Sequence, residues 1–310
     1  MRRTLNAVSL VFFAAAALWA EPSAPVSVLD QIREDFKTGH AIEGAALLQQ
    51  EASKGDPKAQ YGMGILFEKG LPEAKIPQDD AQAFHWYSAA AQSGHAPSQN
   101  NVGYFYYIGR GVTKDYKQAI QWYEKAAQQG DAMAQYNLGN MYFHGRGVTK
   151  DFSKALGLFR QSAEQGNVTA ENNLGFMYEH GLGVPRDFGV AMQWYQRAAK
   201  DGHSYAEMNT AVMYEHGLGA HRNYAKALDW YKKAAGRGRT FAQWKLGRFY
   251  ENGWGTPKDL VEAYAWYWVA SQQGNKRAAD SLHQLESKIT PAQVSEARDR
   301  ATHFTLQKAP

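Results

Sequence analysis

The chain of 310 residues contains no cysteine. That excludes disulfide staples, thiol catalysis, thiolate metal sites and a lipid-modified N-terminal cysteine. It also lacks a surplus of one charge. Lys plus Arg number 34 against 30 Asp plus Glu, a formal +4, which is too balanced to suggest a nucleic-acid surface or a strongly membrane-directed one. No His-Glu-x-x-His, Gly-x-Ser-x-Gly or Ser-x-x-Lys occurs, so the familiar hydrolase signatures are missing. No catalytic residue, cofactor motif or metal-ligand set is assigned. What the chain does carry is 29 Gly together with 9 Trp, 18 Tyr and 14 Phe.

The one long apolar run lies at the start. Arg2 and Arg3 precede Leu5–Ala20, and Glu21-Pro22 follows without a cationic stop-transfer cluster. This is the pattern of an export signal, and the run is short for a stable transmembrane segment. Residues 1–20 are read as a signal peptide cleaved near Ala20, and the mature chain as exported, most simply to the periplasm of a Gram-negative bacterium.

The glycines and aromatics recur at fixed spacing. Gly94, Gly130, Gly166, Gly202, Gly238 and Gly274 stand 36 residues apart, and Gly55 precedes Gly94 by 39. This divides 55–273 into six repeats. Four residues after each of these glycines comes a small residue (Ala59, Ser98, Ala134, Ala170, Ala206, Ala242), and nine after comes Gly64, Gly103, Gly139, Gly175, Ala211 or Gly247. Such spacing predicts one face of a short helix ending at Gly70, Gly109, Gly145, Gly181, Gly217 or Gly253. The connector closes on Asp79, Asp115, Asp151, Asp187, Asn223 or Asp259, each suited to cap a second helix. That helix carries an aromatic pair such as Trp86-Tyr87, Trp122-Tyr123 or Trp194-Tyr195. A single hairpin of this kind cannot bury its own apolar stripe, so the repeats must stack. The expected fold is an all-α, right-handed α-solenoid of antiparallel hairpins. Residues 21–54 form a linker and capping hairpin, and 274–310 hold capping helices and a short tail. Thr290-Pro291-Ala292-Gln293 reads as a capping box.

Units such as Ala134–Asp151, followed by Ala155 and the next helix, resemble Sel1-like repeats, which are related to tetratricopeptide repeats. The resemblance covers 55–273, with departures at Leu158, Ala211 and Asn223. It implies a superhelix that holds proteins or peptides and no shared chemistry. Cysteine-rich members of the group suggest a hydrolase acting on envelope material, but none of their cysteines is present. A structural role in the envelope, binding glycan or peptidoglycan, is the other alternative.

Several columns invite a functional reading. The Gly-x-Gly pairs sit between helices and lack a Gly-Lys-Ser/Thr ending, so they are turn residues and not a phosphate loop. His144, His180 and His216 stand 36 apart, and stacked hairpins keep equivalent residues about 10 Å apart, too far to share a metal. The Trp-Tyr pairs are expected to pack. Trp244, Trp254 and Trp268 fall outside that pattern and are candidate aromatic anchors. Asn101, Asn137, Asn173 and Asn209 share one mid-helix position in four consecutive first helices, where Asn is a weak helix former. Either these amides meet the backbone of an extended peptide or they bond between repeats and set superhelical pitch. Tyr104, Tyr107, Asn140, Phe143, Phe176, Glu179, Glu215, Arg248 and Glu251 complete the candidate peptide-binding groove. The partner is expected to be another protein or an extended peptide segment.

Overall fold

A computed structural model describes residues 28–306. The signal expected at 1–20 and the tails at 21–27 and 308–310 lie outside the described residues. The chain is an all-α solenoid of stacked helical hairpins. It divides into two compact units, one reaching Ser162 and the other starting at Ala163.

The first unit opens with α1 (Val28–Thr38) and α2 (Ala41–Ser53). Three hairpins follow: α3 (Pro57–Lys69) with α4 (Asp80–Gln92), α5 (Ala96–Ile108) with α6 (Tyr116–Gln128), and α7 (Ala132–His144) with α8 (Phe152–Glu164), whose last two residues lie past the boundary. The second unit contains α9 (Val168–His180) with α10 (Phe188–Lys200), α11 (Ser204–His216) with α12 (Tyr224–Gly236), and α13 (Thr240–Asn252) with α14 (Leu260–Gln272). Helices α15 (Lys276–Glu286) and α16 (Pro291–Leu306) both pack on α14. Each repeat helix has 13 residues, a length that is marginal alone in water.

The ends of these helices are fixed by short-range chemistry. Asp79 Oδ1 accepts from the backbone N–H of Ala81 and Gln82, Asp115 Oδ1 from Lys117 and Gln118, and Asp151 Oδ1 from Lys154. Thr290 and Gln293 cap each other reciprocally. First helices end on glycines with φ between 67° and 75°, but Gly70 departs, with ψ 152°. The longer connector that follows it forms a Leu71–Ile76 bridge and a 3₁₀ turn instead of the short turn used elsewhere.

Packing explains the two glycine columns that recur inside the repeat. A Cβ on Gly103 or Gly175 would stand 2.7 or 2.6 Å from the ring of Tyr123 or Tyr195. The missing side chain therefore lets the second helix seat its tyrosine flat against the first. Gly147 and Gly255, the second of each Gly-x-Gly, have φ near 70° and would clash with the start of the preceding second helix. Of the Trp-Tyr pairs, the tyrosine is the core residue: Tyr87, Tyr195, Tyr231 and Tyr267 are fully buried. The tryptophans are half-buried and lie against neighbouring clusters, Trp122 against the Tyr87–Phe105 cluster and Trp266 against that of Tyr231 and Phe249. Trp266 is also covered by the Phe304 ring, 4.2 Å away and nearly parallel.

Candidate functional site

The buried tyrosines do more than pack. Tyr87 Oη donates to Glu68 Oε2 at 2.7 Å, Tyr195 to Glu179 at 2.6 Å, Tyr231 to Glu215 at 2.5 Å, and Tyr267 to Glu251 at 2.8 Å. Burial first, and then the neighbouring carboxylate, pushes each of these phenols far above its ordinary range. A cation from farther along the chain closes three of the four clasps: Arg110 on Glu68, Lys245 on Glu215 at 2.8 Å and Lys288 on Glu251 at 3.0 Å. Glu179, Glu215 and Glu251, three of the groove candidates, thus have oxygens engaged inside their own hairpins. No single column of the repeat reveals the Tyr–Glu pairing. Its signal was available in the joint variation of two columns: the repeat with Phe143 in place of Glu also has Phe159 in place of Tyr.

The asparagines are half-buried on the first helices. In the first unit, Asn137 Nδ2 donates to Asn100 Oδ1 at 2.9 Å; in the second, Asn209 Nδ2 donates to Asn172 Oδ1 at 3.2 Å. Each bond links consecutive repeats and uses one amide hydrogen. Asn101 lies beside Tyr61 and Tyr87 and draws down, in part, the pKa that burial raises in both phenols.

One cavity, of about 200 Å³, gathers several candidates. Tyr104, Tyr107, Asn137 and Asn140 line it together with Tyr123, Met141, His144 and Arg146. Tyr104 and Tyr107, one helical turn apart, stack with centroids 6.4 Å apart, and the Arg146 guanidinium lies 5.4 Å from the Tyr107 centroid. Phe143 packs against Phe152 and Phe159. Arg146 was missed from sequence because its Gly-Arg-Gly setting reads as a turn.

In the second unit the aromatic candidates are held by neighbours. Trp244 donates its indole N–H to Ser281 Oγ at 3.2 Å, with the Arg248 and Arg277 guanidinium groups 5.4 and 5.5 Å from its ring. Trp254 stacks on Tyr224, and Trp268 is half-buried beside the α14–α16 core. Phe176 stacks on His180 at 4.1 Å, and the His180 ring nitrogen Nδ1 lies 3.0 Å from the Phe176 carbonyl. Asn173 is half-buried on α9. No group of three His, Asp or Glu side chains suited to a metal occurs among the described residues. No helix among them is long and apolar enough to cross a membrane.

The Sel1 repeat family matches residues 57–95, 96–131, 132–167, 168–203, 204–238 and 240–275. The chain belongs to the Sel1 repeat family. Among solved structures it is similar to a protective antigen present in uropathogenic Escherichia coli strains with an SLR fold, at 29% identity and a TM-score of 0.78. That match covers 97% of this chain and 63% of the antigen, so the chain spans under two thirds of that relative. A Sel1 repeat protein from Oxalobacter formigenes matches at 31% identity with a TM-score of 0.70, covering 79% of this chain and 97% of the relative. No protein of curated function matches the chain in sequence. The Sel1 repeat fold is a protein-interaction scaffold and not a catalytic one.

Proposed function

We propose that this Sel1 repeat protein is an exported scaffold or regulator that grips another protein, or an extended peptide segment of it, on the face formed by first helices, and makes no covalent bond. The cavity between α5 and α7 is the principal anchor. The observation that carries this reading is the convergence there of Tyr104, Tyr107, Asn137 and Asn140, residues from two consecutive repeats. Tyr104, 43% exposed, offers an aromatic surface, and the amides offer donors and acceptors of the kind an extended backbone needs. The basic N-terminus followed by Leu5–Ala20 supports export to the periplasm.

Replacing Tyr104 and Asn140 by Ala in one variant tests the reading. Neither contributes to the bond between Asn137 and Asn100, so the melting temperature should stay within a few degrees. Affinity for the native partner should fall roughly 10–100-fold, the consequence of losing one aromatic contact and one hydrogen bond. Unchanged affinity in a folded variant would remove this cavity from the binding surface.

A further inference from the structure

The cavity between α5 and α7 occupies the place where the preceding repeat keeps a carboxylate. There, Glu68 accepts from the Tyr87 hydroxyl and from Arg110 Nη1, and Arg110 also pairs with Asp80 at 2.6 Å. One repeat later the tyrosine and the arginine persist as Tyr123 and Arg146, but both acids are gone. Tyr107 stands where Glu68 stood and Tyr116 where Asp80 stood. Tyr123 is 1% exposed, and its hydroxyl makes no hydrogen bond among the described residues. Arg146 forms no ion pair among them and lies over the Tyr107 ring. Both line the cavity, with the Asn137 and Asn140 amides and His144 beside them and no acidic side chain.

The Tyr123 hydroxyl and the exposed Arg146 guanidinium thus line one cavity whose walls hold no acidic side chain, and both are donors that pair most strongly with an anion. We infer that this cavity binds a carboxylate from the partner, which takes the place of the carboxylate the repeat has lost: Tyr123 Oη and the Arg146 guanidinium donate to it, and the Asn137 and Asn140 amides hold the atoms that follow. The inference rests on the scaffold reading above and names the chemistry of its anchor. The carboxylate belongs either to an acidic side chain or to a chain terminus, and both present the same planar acceptor to a guanidinium.

The test is a titration of the full exported chain, followed by amide and arginine side-chain NMR, with three short peptides. Acetyl-Ala-Glu-Ala-amide carries only a side-chain acid, acetyl-Ala-Ala-Ala only a terminal carboxylate, and acetyl-Ala-Gln-Ala-amide neither. At least one acidic peptide should produce saturable shifts at Tyr107, Tyr123, Asn140 and Arg146, with a Kd of about 1–10 mM for a single charge-assisted site, and the one that does identifies the source. Tyr123→Phe and Arg146→Gln should each weaken that binding about tenfold. Phe159 already fills the equivalent position, so Tyr123→Phe is expected to fold. Tyr107→Glu, which rebuilds the internal clasp, should abolish binding. Equal shifts from the glutamine peptide, wild-type affinity in both weakened variants, or no saturation by either acid would overturn the inference. None of these outcomes bears on whether a larger partner docks on the same face, which the Tyr104 and Asn140 variant tests separately.

Discussion

At position five of each repeat, Gln60, Gln99, Gln135 and Gln243 send a side-chain amide back to the carbonyl eight residues earlier, on Ala52, Ala91, Ala127 and Ala235. Glu171 and Glu207 replace the glutamine and cannot donate. An arginine compensates in each case. Arg197 donates to the Ala163 carbonyl at 3.0 Å and ion-pairs with Glu171 at 2.6 Å, while Arg237 donates to Glu207 at 3.1 Å. Burial pushes the Glu171 carboxyl up by more than Arg197 draws it down. Glu171→Gln should therefore raise stability at neutral pH by about 0.5–1 kcal/mol, since it removes a buried charge and restores the amide donor. Arg197→Ala should cost about 1–3 kcal/mol by leaving that charge unpaired. A carboxyl with a raised folded pKa destabilises most above that pKa, and the penalty shrinks as pH falls through it toward the unfolded value. The advantage of Glu171→Gln over wild type should shrink accordingly in mild acid. Urea denaturation of both variants at neutral and acidic pH reads all three effects.

Within the hairpin, the tyrosine–glutamate clasp ties the middle of the second helix to the end of the first. Tyr195→Phe removes the donor to Glu179 and should lower stability by about 0.5–1.5 kcal/mol. Tyr123→Phe, where no acceptor is present, should change it by less than about 0.5 kcal/mol. Thermal unfolding of the two variants side by side checks the contrast. Equal losses would mean that the hydroxyls act through packing and not through the clasp. The helices and their ends were legible in the sequence because they follow from local chemistry repeated at a fixed period: glycine where φ is positive, Asp or Asn where backbone N–H groups need an acceptor. The clasp was not, because its partners lie 16 residues apart, or 19 at Glu68 and Tyr87, and each column read singly has another meaning. Glu215 stands at a groove position by helical spacing, yet its carboxylate accepts from Tyr231 Oη and Lys245 Nζ. The tryptophans, assigned to packing, were legible in role but not in degree; the smaller tyrosine takes the fully buried position because it lies against the glycine of the facing helix.

Across the whole molecule, the repeats are near copies, and the proposed binding surface lies where they stop being copies. The first unit alternates a complete clasp at Glu68 and Tyr87 with an open one at Tyr123 and an all-aromatic one at Phe143 and Phe159. The second unit keeps the clasp in all three of its repeats. A scaffold built from stacked, nearly identical hairpins has no need of such an interruption for stability, which is why the binding surface is assigned to the interrupted part. The cavity itself was half legible: Tyr104, Tyr107, Asn137 and Asn140 could be chosen from spacing and variation, whereas Tyr123 and Arg146 became visible only beside Glu68 and Arg110. The most direct test places a photoreactive phenylalanine analogue at Tyr104, on α5, and in a second protein at Gln121, exposed on α6 of the same hairpin. After irradiation in the native envelope, a discrete adduct should form from position 104, be absent from position 121, and be suppressed by excess wild-type protein but not by the Tyr104 and Asn140 variant. An adduct from position 121 with none from position 104 would contradict the assignment of binding to the first-helix face.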